Sequence, residues 1–251
     1  MKVGVFGAAG RMGTTVRQAV EAASDLNLAA AVDPAGDGPS FRPDREAMTE
    51  AGVEVAIDFT VPSAAVDNAL WCAANGIHAV IGTSGIGGGA LERLRAAFPE
   101  EGPLACLVVP NFAVGAVLMM RFAELAAPWF DTAEIVELHH DAKVDAPSGT
   151  AVQTAERIAA ASSEWAPDPT TVETVAGSRG GSGPGGIRIH SVRLRGLVAH
   201  QEVLLGAAGQ TLTIRHDSLD RQSFVPGILL ALRGAGDRPG LTVGLDRLLG
   251  I

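Results

Sequence analysis

Gly7-Ala8-Ala9-Gly10-Arg11-Met12-Gly13 joins the apolar run at residues 2–6 to a stretch, residues 12–23, with helical spacing and no breaker. A G-x-x-G-x-x-G turn lets the backbone come close to a pyrophosphate, whose charge is met by amides and dipole at the helix N-terminus. Alone this pattern is weak, because an ordinary glycine-rich turn looks the same. Asp33 strengthens it. This acid follows a second apolar run, residues 26–32, and lies 20 residues beyond Gly13. A carboxylate there can hydrogen-bond the adenosine ribose hydroxyls.

Strand and helix signals go on alternating. Residues 55–59, 79–81 and 104–109 read as strands, with helices from Pro62 to about residue 75 and around 90–98. Alternation of this kind predicts an α/β chain with an N-terminal, Rossmann-type, doubly wound parallel sheet. Gly82-Thr83-Ser84-Gly85 and Val109-Pro110-Asn111-Phe112 follow apolar strands at the carboxyl edge, where such sheets bind ligands. They could line a nicotinamide and its ribose, although turn chemistry alone explains them equally well.

Beyond Pro110 the pattern changes. Residues 113–130 read as one long helix, 135–140 as a strand, and Ser148 as the cap of a helix running to 161. Residues 177–186 hold six glycines and Pro184, which predicts a mobile or tightly turning loop. Three β-rich runs follow at 187–194, 198–205 and 211–216, then helices at 222–233 and 245–249. Consecutive strands favour a mixed or antiparallel sheet, hence a second, α+β domain. The expected division is 1–110 with 220–251 for the dinucleotide and 111–219 for the substrate.

Composition narrows the partners. The chain has 251 residues, 47% apolar and 19% charged, with a formal charge of -9. An acidic protein of this kind is a poor general nucleic-acid binder, which wants a basic face. No apolar run reaches the roughly 18 residues of a membrane span, and the N-terminus has no secretory h-region. Cys72 and Cys106 sit in apolar stretches and read as small buried hydrophobes in a reducing, cytoplasmic setting.

Chemistry concentrates in Glu137-Leu138-His139-His140-Asp141-Ala142-Lys143-Val144-Asp145-Ala146-Pro147-Ser148-Gly149-Thr150-Ala151. A helix opening at Ser148-Gly149-Thr150 offers amides to an anion, and Lys143 and a histidine add positive charge. In an acidic protein that suggests a carboxylate pocket. A partly buried lysine can also serve as a general acid. Core histidines or a metal pair are the bland alternatives for His139-His140. Adjacent strand residues point to opposite faces, so the two cannot readily share one metal.

This run resembles the signature of the 4-hydroxy-tetrahydrodipicolinate reductase family, long called dihydrodipicolinate reductases. The likeness covers nearly the whole chain, including the glycine turn, Asp58-Phe59-Thr60-Val61-Pro62-Ser63, Ile189-His190-Ser191-Val192-Arg193 and His200-Gln201-Glu202-Val203. The resemblance implies reduction of a cyclic imine dicarboxylate by NADH or NADPH, in the diaminopimelate route to lysine, by a homotetramer. It implies proton transfer by His139 and Lys143, and substrate carboxylates held by His140, Ser148, Gly149 and Thr150. Cofactor contacts fall to Gly7, Ala8, Ala9, Gly10, Arg11, Met12, Asp33, Gly82, Thr83, Ser84, Val109, Pro110, Asn111 and Phe112. No metal is implied. Family members favouring NADPH can carry an arginine directly after the acid of the second strand. Here Pro34 stands there and Arg11 is the obvious nearby cation, so NADH is expected to be modestly favoured.

Two other readings compete. A different Rossmann oxidoreductase acting on a keto or amino acid would share the turn but has no use for H-H-x-x-K with S-G-T. A nicotinamide-sensing regulator would need a basic DNA-binding element, and none is visible.

Overall fold

The computed structural model describes all of residues 1–251 except Asp37 and Pro39, and it divides into two units, Met1–Val114 with Arg221–Ile251, and Gly115–Asp220. The first unit begins β1 (Lys2–Phe6), α1 (Arg11–Ala22), β2 (Asn27–Val32), α2 (Glu46–Glu50), β3 (Val55–Asp58), α3 (Pro62–Ala74), β4 (His78–Ile81), α4 (Gly89–Ala97) and β5 (Ala105–Val108). Its strands read as unbroken apolar runs because both faces are covered: Val3, Val5, Val55, Ile57, Val80, Ile81 and Leu107 are fully buried. Pro62 starts α3 at a position whose N–H would be unpaired anyway. Cys72 and Cys106 are buried, and burial pushes the Cys72 thiol up to about 12 and the Cys106 thiol higher still. They behave as apolar side chains.

The second unit holds α5 (Val114–Ala126), β6 (Thr132–His139), α6 (Gly149–Ala161), β7 (Gly181–Ser182), β8 (Arg188–Arg193), β9 (Ala199–Ala207) and β10 (Gln210–Ser218). The single helix expected over 113–130 is shorter. It ends at Ala126 and a 3-10 turn, Ala127–Trp129, takes over, because Pro128 cannot continue the α-helical ladder. The sheet is mixed, in the order β10-β9-β6-β8-β7, with β6 and β8 parallel and the other pairs antiparallel. Along β6, Ile135 and Glu137 are buried while their neighbours Val136 and Leu138 are half-buried, so alternate residues face the core. Ala151, Thr154, Ala155 and Ile158 form the buried stripe of α6.

The glycine-rich stretch 177–186 turns tightly. Gly177, Gly180, Gly185 and Gly186 all have positive φ, and a Cβ on Gly180 would lie 2.8 Å from the Ile189 carbonyl oxygen. Only a residue without a side chain lets this segment lie against β8.

The tail returns to the first unit as α7 (Val225–Gly234), β11 (Gly240–Val243) and α8 (Asp246–Leu249). Helical signals were expected here; the strand between them was not, since Gly240-Leu241-Thr242-Val243 lacks the unbroken apolar run that marks the other short strands. β11 pairs with β5 and completes a six-stranded, all-parallel sheet in the order β11-β5-β4-β3-β1-β2. The chain runs outward from β1 to β2 on one side and through β3 on the other. That reversal creates the crevice at which doubly wound sheets bind ligands.

Candidate active site

The loops after β1 to β5 leave the carboxyl edge of the six-stranded parallel sheet. The first is the glycine turn between β1 and α1. Gly7 has φ of 69°, a left-handed value that glycine adopts without strain. A Cβ on Gly13 would collide with the Gly7 carbonyl oxygen and lie 2.7 Å from the Ala8 Cα. Turn and helix start are therefore pressed together as the close backbone approach of a dinucleotide turn requires. Gly10 caps α1 with no side-chain hydrogen bond, so no side chain at the cap occupies the first-turn amides. These residues fit a pyrophosphate.

Asp33 lies just past β2, and its carboxylate already has partners. Oδ2 accepts from the Ala9 N–H at 2.9 Å and Oδ1 from the Ala35 N–H at 2.9 Å. The acid ties the glycine turn to the end of β2. The sequence pointed to Arg11 alone as the nearby cation; the structure adds two. Arg42 pairs through its backbone with this end of β2, its carbonyl accepting from the Asp33 N–H at 3.0 Å, while its guanidinium meets Glu50 at 2.9 Å. Arg17 donates from Nε to the Ala8 carbonyl at 3.0 Å and lies over the Phe41 ring at 4.7 Å. Neither could be placed from sequence, since both reach the site through folding.

The ends of β3, β4 and β5 continue this edge. Asp58 is buried, accepting from the Thr60 N–H at 2.7 Å and from Asn68 Nδ2 at 2.8 Å, which fixes the β3 turn. The Thr83 hydroxyl donates to the Thr60 carbonyl at 3.1 Å, linking the next loop to it. A Cβ on Gly82 would come within 2.8 Å of the Phe112 ring, which packs on Phe59 with centroids 5.5 Å apart. Val109 and Phe112 are buried, and Asn111 Oδ1 accepts from the Ala113 N–H at 2.9 Å. Ser84 and Pro110 are exposed at the rim.

The other cluster belongs to the second unit. His139 ends β6, and His140 is the exposed first residue beyond it. The Lys143 ammonium lies 2.7 and 2.8 Å from the two Asp145 carboxylate oxygens. This contact, its largest cause, holds the Asp145 carboxyl below the usual range. After a cis Ala146–Pro147 bond comes Ser148, whose hydroxyl accepts from the Ala151 N–H and caps α6. The Val152 N–H goes to the Ser148 carbonyl, and the Gly149 N–H has no partner among the described residues. Here is the helix start with a spare donor that an anion needs.

Glu137 joins these parts, and sequence reasoning passed over it. Wholly buried, it lies 2.5 Å from His139 Nδ1 and accepts from the Ser148 N–H at 3.2 Å and from Arg193 at 2.8 and 2.9 Å. Burial pushes its carboxyl up, but Arg193, Ser191 and His139 outweigh that and leave it below its ordinary value. Its alternation with Ile135 and His139 along one strand face was the available signal. Arg193 stood in the sequence only as the last residue of the run at 189–193, and its place opposite His139 follows from the pairing of β8 with β6.

Comparisons with known proteins agree with this geometry. The family described as "Dihydrodipicolinate reductase, N-terminus" matches residues 1–112, and "Dihydrodipicolinate reductase, C-terminus" matches 115–249. A 4-hydroxy-tetrahydrodipicolinate reductase of Cutibacterium acnes is 54% identical, covering 100% of this chain and 99% of its own. One from Mycobacterium ulcerans is 52% identical over the full length of both. A dipicolinate-bound dihydrodipicolinate reductase from Paenisporosarcina sp. TG-14 superimposes with a TM-score of 0.89 at 38% identity, covering 98% of each chain. No helix among the described residues is long and apolar enough to cross a membrane.

Proposed function

The chain belongs to the dihydrodipicolinate reductase family, and from that premise we propose how its residues reduce 4-hydroxy-tetrahydrodipicolinate to tetrahydrodipicolinate in lysine and diaminopimelate biosynthesis. The observation that carries the assignment is the spare Gly149 amide at the start of α6, tied through Glu137 to His139. That combination offers both a carboxylate seat and proton-transfer groups.

Residues 1–110 with 220–251 hold the dinucleotide. Gly7 to Met12 cradle the pyrophosphate, Asp33 faces the adenosine ribose, and Gly82 to Ser84 with Val109 to Phe112 flank the nicotinamide. The reduced nicotinamide, when bound, supplies a hydride. Residues 111–219 receive the substrate: Ser148, Gly149, Thr150 and His140 hold its carboxylates. Loss of the 4-hydroxyl as water gives a conjugated imine. Hydride addition to that system leaves an enamine-like carbon that needs a proton, which Lys143 and His139 deliver. The Lys143 charge also steadies the adjacent carboxylate. The same unit carries exposed Phe122, Leu125 and Trp129, apolar surface that a homotetramer would cover.

Purified protein given reduced nicotinamide and freshly made cyclic substrate should consume the dinucleotide's absorbance, and no turnover would sink the reading. Dipicolinate, planar with two carboxylates, should compete with the substrate. Gly149→Pro should weaken that inhibition by about tenfold, equivalent to roughly 1.4 kcal/mol, by deleting one donor. The change suits the backbone: Gly149 is the first residue of α6, Ser148 before it is extended, and a Cβ there meets nothing within 4 Å. Unaltered inhibition in the variant would remove the Gly149 amide from the pocket.

Both dinucleotides should work, with NADH favoured. The Asp33 carboxylate can accept from ribose hydroxyls but repels a 2′-phosphate, and exposed Arg11 offers only about 0.2–1 kcal/mol in compensation. Arg11→Ala should therefore raise KM for NADPH a few-fold more than for NADH. Measuring kcat/KM with each dinucleotide tests this. A strong NADPH preference persisting in the variant would give the 2′-phosphate to another cation, such as Arg42.

A further inference from the structure

A buried carboxylate is costly unless donors fill its lone pairs, and Glu137 has four N–H groups from three segments of chain. Each contact has a consequence beyond packing. An ionised carboxylate only accepts, so His139 Nδ1 must carry hydrogen. Nε2 is then the atom left to hold a lone pair or a transferable proton. The Ser148 N–H contact pins the cap of α6, whose next amide is the spare Gly149 donor. Arg193, gripped through both nitrogens, extends Nη2 to the Asp145 carbonyl at 2.7 Å, and the Asp145 carboxylate holds Lys143.

We propose that Glu137 is a positioning residue of the reductase. It holds His139 in the Nδ1–H tautomer and, through Arg193, keeps the Lys143 loop in register with the helix start that seats the substrate carboxylate. The inference rests on the roles given to His139 and Lys143 above. Three charged groups face His139: Glu137 on its own strand, Arg193 on β8 and Lys143 on the following loop. Burial lowers the His139 pKa, Glu137 opposes that, and Lys143 and Arg193 add to it, for a net lowering. Neutralising Glu137 deletes the one opposing influence, so the His139 titration must move further down in pH.

A purely structural carboxylate would affect melting and nothing else. Glu137→Gln keeps the shape but offers one acceptor oxygen where four donors converge. In the folded variant kcat should fall by roughly 10²-fold, the order expected for misplacing a reacting group. The dinucleotide KM should be unchanged, and the inflection owed to His139 in the kcat/KM profile should move to lower pH. Glu137→Asp, which retains the charge, should restore much of that inflection. A second measurement needs no variant: imidazole nitrogen chemical shifts in the wild-type enzyme, with the His139 signals assigned through His139→Asn, report the tautomer. Nδ1–H supports the proposal. An Nε2–H tautomer in wild type overturns it, as does a folded Glu137→Gln enzyme with wild-type kcat and pH profile. Absence of wild-type turnover would instead fault the reductase reading, and the shifts would still decide the tautomer.

Discussion

Replacing Lys143 with alanine should lower kcat by about 10²–10⁴-fold, the worth of a positioned general acid, while dinucleotide binding persists. The structure makes this a clean experiment. Lys143 lies on the loop between β6 and α6 and contacts Asp145, whose side chain remains 60% exposed. An exposed ion pair contributes only about 0–1 kcal/mol, so the carboxylate left behind is solvated and the fold should survive. The residues proposed to hold the dinucleotide all belong to the other unit. Stopped-flow single turnovers, dinucleotide titration and calorimetry on the same preparation separate chemistry from binding and stability. Near-wild-type turnover would take Lys143 out of the mechanism; a matching fall in Tm and turnover would make it structural instead. Lys143→Arg should recover substrate binding better than rate, because a guanidinium keeps the charge but does not release a proton near neutral pH.

What was legible in the sequence follows from how each signal is encoded. The parallel sheet could be read because strands covered on both faces must be apolar throughout, as Val55-Ala56-Ile57 and Ala79-Val80-Ile81 are. The glycine turn was readable because its demand is local: Gly7 takes a positive φ, and a Cβ on Gly13 would meet Gly7 and Ala8 of the same turn. β11 escaped notice because its place is fixed by pairing with β5, far away in sequence, and not by any pattern of its own. The same division runs through the site. His139, Lys143 and Ser148-Gly149-Thr150 sit in one short run and carry recognisable chemistry. Glu137 has the residue type of a solvated strand position, which outweighs its alternation with Ile135 until the structure shows it inside. Its partner Arg193 is 56 residues further on, delivered by the parallel register of β6 and β8. Long-range polar pairing of this sort leaves no periodicity. The cations near Asp33 repeat the lesson, since Arg42 arrives by a bridge to Val32 and Arg17 by reaching from α1 to the Ala8 carbonyl.

Gly13→Ala should be among the most damaging single-methyl changes to the first unit. The added Cβ would be driven into the Gly7 carbonyl oxygen and lie 2.7 Å from Ala8 Cα and 2.8 Å from Ala8 C, all backbone. A flexible side chain could swing aside; a main chain cannot. Relief must come from moving α1 off the turn or from reshaping Gly7, whose φ of 69° sets the direction of the whole loop. Overpacking of this kind costs about 1–3 kcal/mol, a large share of the roughly 5–15 kcal/mol that stabilises a domain. The same displacement pulls the first-turn amides of α1 away from the pyrophosphate. A loss of about 1.4 kcal/mol there is tenfold in affinity, so dinucleotide Kd should rise by at least that factor. Gly38→Ala provides the comparison: it also has positive φ, but a Cβ there meets nothing within 4 Å. Its cost should be backbone strain alone, with Kd near wild type. Titrating both variants with NADH by fluorescence, alongside thermal melts, distinguishes the two. If Gly13→Ala binds NADH as wild type does, the turn does not approach the dinucleotide closely, and the cofactor assignment for Gly7 to Met12 fails with it.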